Sequence, residues 1–348
     1  MISPPYSPPR WLRNGHTQTM LGSVARRSLT PERERTYLQD AITEDICTST
    51  GAVLRVKLNL HKSPTPLIVL IHGWLGCDES SYMLSTGGCL WREGFATARI
   101  NLRDHGDTSH LNEALYHSAR TDEVVALIEN LRSRHGVPGC ALVGFSLGGN
   151  FALRVARDIA LPTLGICPAI NPAETLRQID DGPGSTVYRG YFLRKWQRAL
   201  VAKATAFPDR YDFSRAYTLR SVSALTDYFV RHHSEFRDTQ SYFDAYDLTD
   251  KALDGVQATI LIAADDPIIP RAAFRKLPSS LSIVETPTGG HNAFLKDAAL
   301  ASWSDEFVSQ WCRDQLGDPE SAVPPAVSTR VRREAAQDLL RFPTDPPA

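Results

Sequence analysis

The sequence carries almost no net charge: 38 lysines and arginines stand against 39 aspartates and glutamates in 348 residues, a formal charge of -1. Without a basic or acidic excess it lacks the electrostatic footprint of a chain whose main partner is nucleic acid or an anionic membrane surface. Cysteine is sparse. The six cysteines, at positions 47, 77, 89, 140, 167 and 312, show neither the close Cys-x-x-Cys pairs of zinc sites nor the density of a disulfide-stapled scaffold. Most of them are expected to be small buried apolar residues. No run of ~18 apolar residues is present, which excludes a bilayer-spanning helix. The first twenty residues, rich in proline, arginine and polar groups, lack the apolar stretch of a signal peptide. These absences make a reducing cytoplasm the expected compartment. With 42% hydrophobic residues the chain can bury a sizeable core, and its length exceeds the ~100 to 200 residues of one ordinary domain.

Periodicity organises the chain. Residues 52–60 alternate, with Leu54, Val56, Leu58 and Leu60 on one face, as in a half-buried strand. Residues 67–71 are five consecutive apolar residues that run into His72 and Gly73, the pattern of a strand covered on both faces. Next come a helix over 81–92, a strand over 95–100 and a helix over 121–134. That last helix is marked by Val124, Leu127, Ile128 and Leu131 and stopped near Gly136. A strand over 140–143, a helix over 149–159 and a strand over 164–170 continue the rhythm. The alternation implies an α/β fold with a doubly wound, mostly parallel sheet. From 171 to about 254 it breaks into aromatic-rich, charged helical stretches, chiefly 188–206 and 221–233, which reads as an inserted cap. Strands over 258–263 and 281–285 and a helix over 293–312 follow. Met1 to Pro9 holds four prolines and opens an arm of residues 1–34. A linker and a short basic helix occupy 318–348, and residues 35–317 form the main domain.

Gly144-Phe-Ser-Leu-Gly148 falls between a predicted strand and a predicted helix. A sharp strand-to-helix turn strains its central residue and lifts the Ser146 hydroxyl clear of the sheet, while the flanking glycines let neighbouring backbone pass. A serine nucleophile needs a base, and the base needs an orienting carboxylate. Asp265 and Asp266 end the strand over 258–263, and Gly289-Gly-His291 places a histidine in a downstream loop. Asp266 has the better spacing, three residues after Ala263 and four before Pro270, with Asp265 as runner-up. Ser146, Asp266 and His291 stand in the chain order that a nucleophile elbow of this type requires. His72-Gly-Trp-Leu-Gly76 follows the apolar strand, so the N–H groups of Trp74 and Leu147 are the expected oxyanion donors. His72 is expected to tether that loop rather than act as a second base.

These pieces resemble the α/β-hydrolase superfamily over about residues 35 to 312, and most closely its YheT-like branch, also called hydrolase family 4. The narrower resemblance rests on Asn14-Gly-His-Thr-Gln-Thr19, Asn101-Leu-Arg-Asp-His-Gly-Asp107, Leu115-Tyr-His-Ser118, Gly144 to Asn150 and Ala264-Asp-Asp-Pro267. Asp104 departs from it, because related sequences usually place glycine there. The resemblance implies a serine hydrolase acting on short-chain esters, acylglycerols or related lipids, with no cofactor.

Residues Asp104, His105, Asp107, His110 and His117 could be mistaken for a metal cluster. They fall in one predicted loop without a spaced helical ligand pair, and serine chemistry needs no metal. Tyr188, Tyr191, Phe192 and Trp196 of the cap are candidates for an acyl pocket, and Trp74 for its wall. The expected partner is a small ester or lipid, with peripheral membrane contact open to the basic C-terminal helix. Two rival readings remain: an acyltransferase using the same acyl-serine, and a catalytically silent binding module on the same fold.

Overall fold

The computed structural model describes residues 5–319. The expected C-terminal helix near 328–340 lies outside them. Eight strands form one sheet: β1 (Ile42–Cys47), β2 (Val53–Asn59), β3 (Leu67–Ile71), β4 (Ala96–Ile100), β5 (Cys140–Phe145), β6 (Thr163–Ile166), β7 (Thr259–Ala263) and β8 (Ser282–Thr286). Their order is β1-β2-β4-β3-β5-β6-β7-β8. Strands β3 to β8 run parallel, while β2 is antiparallel to both β1 and β4. β3 lies mid-sheet between β4 and β5, with Val69 beside Ala98 and Leu142 and all five of its residues buried. That position accounts for its unbroken apolar run.

The edge strand β1 has no counterpart among the sequence expectations. Only Ile46 of its six residues is buried, so Thr43, Glu44 and Asp45 erase the alternation; charge on an edge strand also discourages pairing with another chain. In β2 the expected alternation holds through Leu58 and then fails, because Asn59 is wholly buried and donates from Nδ2 to the Tyr37 carbonyl at 2.7 Å. The strand expected over 164–170 stops at Ile166, because Cys167 takes a left-handed φ of 44° and turns the chain back under residue 146.

The helices are α1 (Gly15–Met20), α2 (Arg26–Arg33), α3 (Arg35–Gln39), α4 (Ser81–Arg92), α5 (Asp122–His135), α6 (Leu147–Asp158), α7 (Pro172–Asp181), α8 (Ser185–Ala206), α9 (Val222–His233), α10 (Thr239–Asp244) and α11 (Trp303–Leu316). Helices α7 to α10 form the insertion between β6 and β7. No described helix is long and apolar enough to cross a membrane. All six cysteines are free; Cys140, Cys167 and Cys312 are buried, Cys77 and Cys89 half-buried, and Cys47 exposed.

Two expectations need correction. The helix placed over 293–312 begins only at Trp303. Residues 293–302 fold instead into a tight loop, with left-handed backbone at Phe294 (φ 44°) and Leu300 (φ 58°) and a bridge between Leu295 and Ser302. The arm, read as aperiodic, is largely helical. Its helices are short, with the Asn14 side chain capping α1 at Thr17 N, and they pack on that loop and on α4 while Met20, Val24 and Leu29 stay exposed, so they present no single clean stripe. Arg26 of α2 is buried and faces Asp305 of α11 at 3.6 Å; Asp305 also accepts from Thr86 of α4 at 2.7 Å. The arm is thereby tied to the core by a buried charge that has its partner.

The contrast between mid-sheet and edge is measurable. Ile71→Ala should cost about 2–5 kcal/mol through lost burial and the residual cavity, whereas Ile42→Ala, at the exposed edge, should stay within about 0.5 kcal/mol. Urea denaturation midpoints of the two variants check this.

Candidate functional site

The carboxyl ends of β3, β5, β6 and β7 converge on one point. At the end of β5, Ser146 takes φ 55° and ψ -119°, a conformation that side chains rarely adopt. A Cβ on Gly144 would lie 2.1 Å from the Gly148 carbonyl oxygen, and one on Gly148 would lie 2.2 Å from that of Ile71. The turn is therefore restricted to glycine at both positions. Ser146 N donates to Ile166 O at 2.8 Å, and Ser146 O accepts from Ala169 N at 3.2 Å, so the chain after β6 braces the strained residue. Asn150 of α6 donates to the carbonyls of Ala169 and Tyr246, both at 2.8 Å, which fastens the elbow helix to the chain entering and leaving the insertion.

His291 stands over the serine, with Nε2 2.9 Å from Ser146 Oγ and Nδ1 2.9 Å from Asp266 Oδ2. The other oxygen of Asp266 accepts from Ile268 N at 2.8 Å and Ile269 N at 3.0 Å. Both oxygens are thus occupied and the carboxylate cannot swing. Asp265 serves a different purpose: it accepts from Thr288 Oγ1 at 2.7 Å and Gly290 N at 2.9 Å, holding the histidine loop from below. The geometry therefore separates the two acids that sequence spacing left as first choice and runner-up.

The loop after β3 lies against Ser146, since a Cβ on Gly73 would come 3.0 Å from the Ser146 Cβ. Trp74 follows it. Leu147 opens α6, where the first amides have no carbonyl of their own helix to donate to. His72 is wholly buried, and burial pushes its pKa well below the ordinary value. Its Nε2 accepts from Leu102 N at 3.2 Å, which leaves Nδ1 as the protonated nitrogen donating to Gly73 O at 2.8 Å. This is the tethering geometry anticipated for it.

Above the serine lies a cavity of about 570 Å³ lined by the arm, the β3 loop and the insertion. Tyr188, Tyr191, Phe192 and Trp196 all reach it from α8. Trp74 stacks on Phe192 at a centroid distance of 5.3 Å and meets Trp196 edge-on at 5.1 Å, so the loop after β3 and the helices between β6 and β7 share one aromatic wall.

Asp104, His105 and Asp107 of the 104–117 loop have structural partners. His105 is buried, its pKa pushed down to about 4 by burial, and it donates from Nδ1 to Arg103 O at 2.8 Å. Asp107 pairs with Arg55 at 2.7 Å. Asp104 takes φ 58°, which explains why glycine suits this position in the resembling family. Its carboxylate accepts from Tyr116 N and from Lys203 Nζ of α8, each at 2.8 Å. Burial disfavours the charge on both Asp104 and Lys203, and their mutual attraction opposes it. Among the described residues the one group close enough to share a single ion is Cys167, Asp266 and His291. Burial holds the Cys167 thiol well above its usual pKa, and its Sγ lies 3.8 Å from Gly290 O, so it stays a neutral thiol.

Nothing in the local pattern of Asn14–Thr19 assigns that motif a role. The structure brings Gln18 and Thr19 against the His291 loop and His16 within 2.9 Å of the Tyr188 hydroxyl of α8. Lys203, one of five basic residues on α8, carries no sequence signal that sets it apart from its neighbours; the one hint is Asp104 where glycine is usual.

The profile of the alpha/beta hydrolase family matches residues 68–303. The chain belongs to the alpha/beta hydrolase family. Among curated relatives, this hydrolase is 24% identical over 325 residues to YheT of Escherichia coli (strain K12), a protein named as a presumed esterase; the match covers 89% of this chain and 94% of that one. It is 23% identical over 359 residues to the monoacylglycerol lipase ABHD2 of Homo sapiens, covering 91% and 83%. Among solved structures, the esterase Pf2001 of Pyrococcus furiosus shares the fold with a TM-score of 0.53 at 12% identity, covering 90% of this chain and all of that one.

The pairing of Lys203 with Asp104 gives a prediction for this hydrolase. Lys203→Met strands the buried Asp104 carboxylate and should lower unfolding free energy by about 3–5 kcal/mol, whereas the double variant with Asp104→Gly should recover most of that loss. Chemical denaturation of both proteins checks it.

Proposed function

We propose that this alpha/beta hydrolase is a serine hydrolase of carboxylic esters, acting through an acyl-serine with Ser146, His291 and Asp266 as its triad. The observation that carries the reading is the unbroken relay Ser146 Oγ, His291 Nε2, His291 Nδ1, Asp266 Oδ2, with 2.9 Å at each hydrogen bond, set beneath an aromatic cavity. His291 Nε2 takes the proton as Ser146 Oγ attacks the ester carbonyl, and Asp266 stabilises the imidazolium that forms. The Trp74 and Leu147 amides receive the oxyanion, a type of contact worth about 10²–10³ in turnover for each donor. Collapse passes the proton from His291 to the departing alcohol. Water, deprotonated by the same nitrogen, then releases the acid from Ser146.

The cavity supports an ester or lipid as the substrate class. Phe192, Trp196, Leu176 and Ile179 line it with apolar surface suited to an acyl chain, and the relatives named as esterase and monoacylglycerol lipase act in the same chemical class. A neutral ester or acylglycerol fits both. The insertion, residues 171–254, is read as the cap that selects the acyl group, and the cytoplasm remains the proposed compartment.

A series of p-nitrophenyl esters from acetate to palmitate, run with wild type and Ser146→Ala, tests this. Turnover that peaks at one chain length and vanishes in Ser146→Ala is expected; a flat profile, or activity surviving the substitution, would count against it. The two acids should separate as well. Asp266→Asn should lower kcat by about 10³- to 10⁴-fold, while Asp265→Asn, which removes only a loop anchor, should lose far less in the same assay.

A further inference from the structure

The histidine loop makes little regular structure of its own. Gly290 and Asn292, on either side of His291, have left-handed backbone with φ of 56° and 59°, and the loop is closed by one backbone hydrogen bond, Phe294 N to Gly289 O at 2.9 Å. What holds it comes from elsewhere. Asp265 takes Gly290 N, as described above. The N–H of His291 itself donates to Thr19 Oγ1 at 2.9 Å, across 272 residues of sequence, and the Thr19 hydroxyl donates in turn to Gly15 O at 2.7 Å.

Gln18 fixes the far end of the same segment. Its Oε1 accepts from Leu295 N at 2.7 Å, and its Nε2 donates to Leu295 O at 3.1 Å and to Leu12 O at 2.8 Å. Gln18 is fully buried and Thr19 nearly so, so these polar contacts are shielded from bulk solvent, where losing a partner is expensive. The fit is close. A Cβ on Gly15 would lie 1.9 Å from the Asp265 carbonyl oxygen, and one on Gly290 would lie 2.5 Å from Gly15 O and 2.8 Å from Thr19 Oγ1. The turn of α1 therefore rests directly on both the acid turn and the histidine loop, and glycines at 15 and 290 permit the contact.

We propose that the arm motif Asn14–Thr19 is a positioning element of the catalytic apparatus, in which Thr19 Oγ1 sets the backbone of His291 and thereby the reach of its ring to Ser146. This rests on the serine-hydrolase reading and extends it to arm residues that act through His291 rather than on the reacting atoms; Thr19 itself also borders the cavity, so the split between kcat and KM decides its role. The ring is fixed at Nδ1 by Asp266, but its distance to Ser146 also depends on where the main chain of residue 291 sits. A misplacement of about 1 Å at a reacting pair can cost around 100-fold in rate. Thr19 is placed to prevent one, and the effect falls on the chemical step rather than on substrate affinity.

The test is a three-variant comparison on one soluble p-nitrophenyl ester. Thr19→Val keeps the shape but removes the acceptor and should lower kcat by about 10- to 100-fold with KM within about twofold; Thr19→Ala carries the same expectation should the valine variant not fold. Thr19→Ser, which keeps the oxygen, should restore kcat to within about threefold of wild type. The fluorophosphonate labelling rate of Ser146 should follow kcat across the series. Unchanged kcat in both Thr19→Val and Thr19→Ala, a loss confined to KM, or a serine variant as slow as the valine one would overturn the proposal. If wild type itself is not labelled by the fluorophosphonate, it is the serine-hydrolase reading that fails.

Discussion

Everything in this structure turns on bringing one imidazole to 2.9 Å from one serine hydroxyl while the other ring nitrogen stays 2.9 Å from a carboxylate. The three residues lie on different strand ends, so the contact can exist only if the parallel sheet delivers β5, β7 and the loop after β8 to the same edge. The sheet does this with a fully buried central strand and a strained elbow whose glycines admit backbone at about 2 Å from where a Cβ would stand. Backbone strain at Ser146 costs of order 1–3 kcal/mol, and it persists because Ile166 O and Ala169 N grip both sides of the residue.

The histidine is the least self-sufficient of the three. Ser146 is locked into a strand-to-helix turn, and Asp266 is locked by two amides of its own turn. His291 sits in a loop that borrows its order from Asp265 and from α1. The arm also meets the insertion, through His16 and Tyr188, while Lys203 and Asp104 clamp the insertion to the core from the opposite side. Arm, core and insertion therefore share the walls of one cavity.

Local constraints were legible in the sequence and distant ones were not. The run over 67–71, the helix near 122–135 and the elbow could be read because each pattern is imposed by its immediate surroundings. The edge strand β1 was invisible because an exposed edge needs no apolar alternation. Residues 293–302 carry Ala293, Leu295, Ala298, Ala299 and Leu300, a composition that suits a helix; what holds them as a loop is a set of turn hydrogen bonds together with Gln18, which grips Leu295 from 277 residues away. The choice between Asp265 and Asp266 likewise depends on which way each carboxylate turns, a matter of tertiary contacts rather than spacing. The Asp104 departure was noticed, but its partner Lys203 could be found only once α8 was laid across the loop.

The central claim is that Ser146 carries the acyl group between the two halves of the reaction. Its most direct measurement is peptide mapping by mass spectrometry of wild-type protein acid-quenched during turnover of p-nitrophenyl butyrate. The account predicts a butyryl adduct on the peptide containing Ser146, localised to that serine. An adduct on another residue, or steady hydrolysis with no covalent species at any quench time or pH, would contradict it.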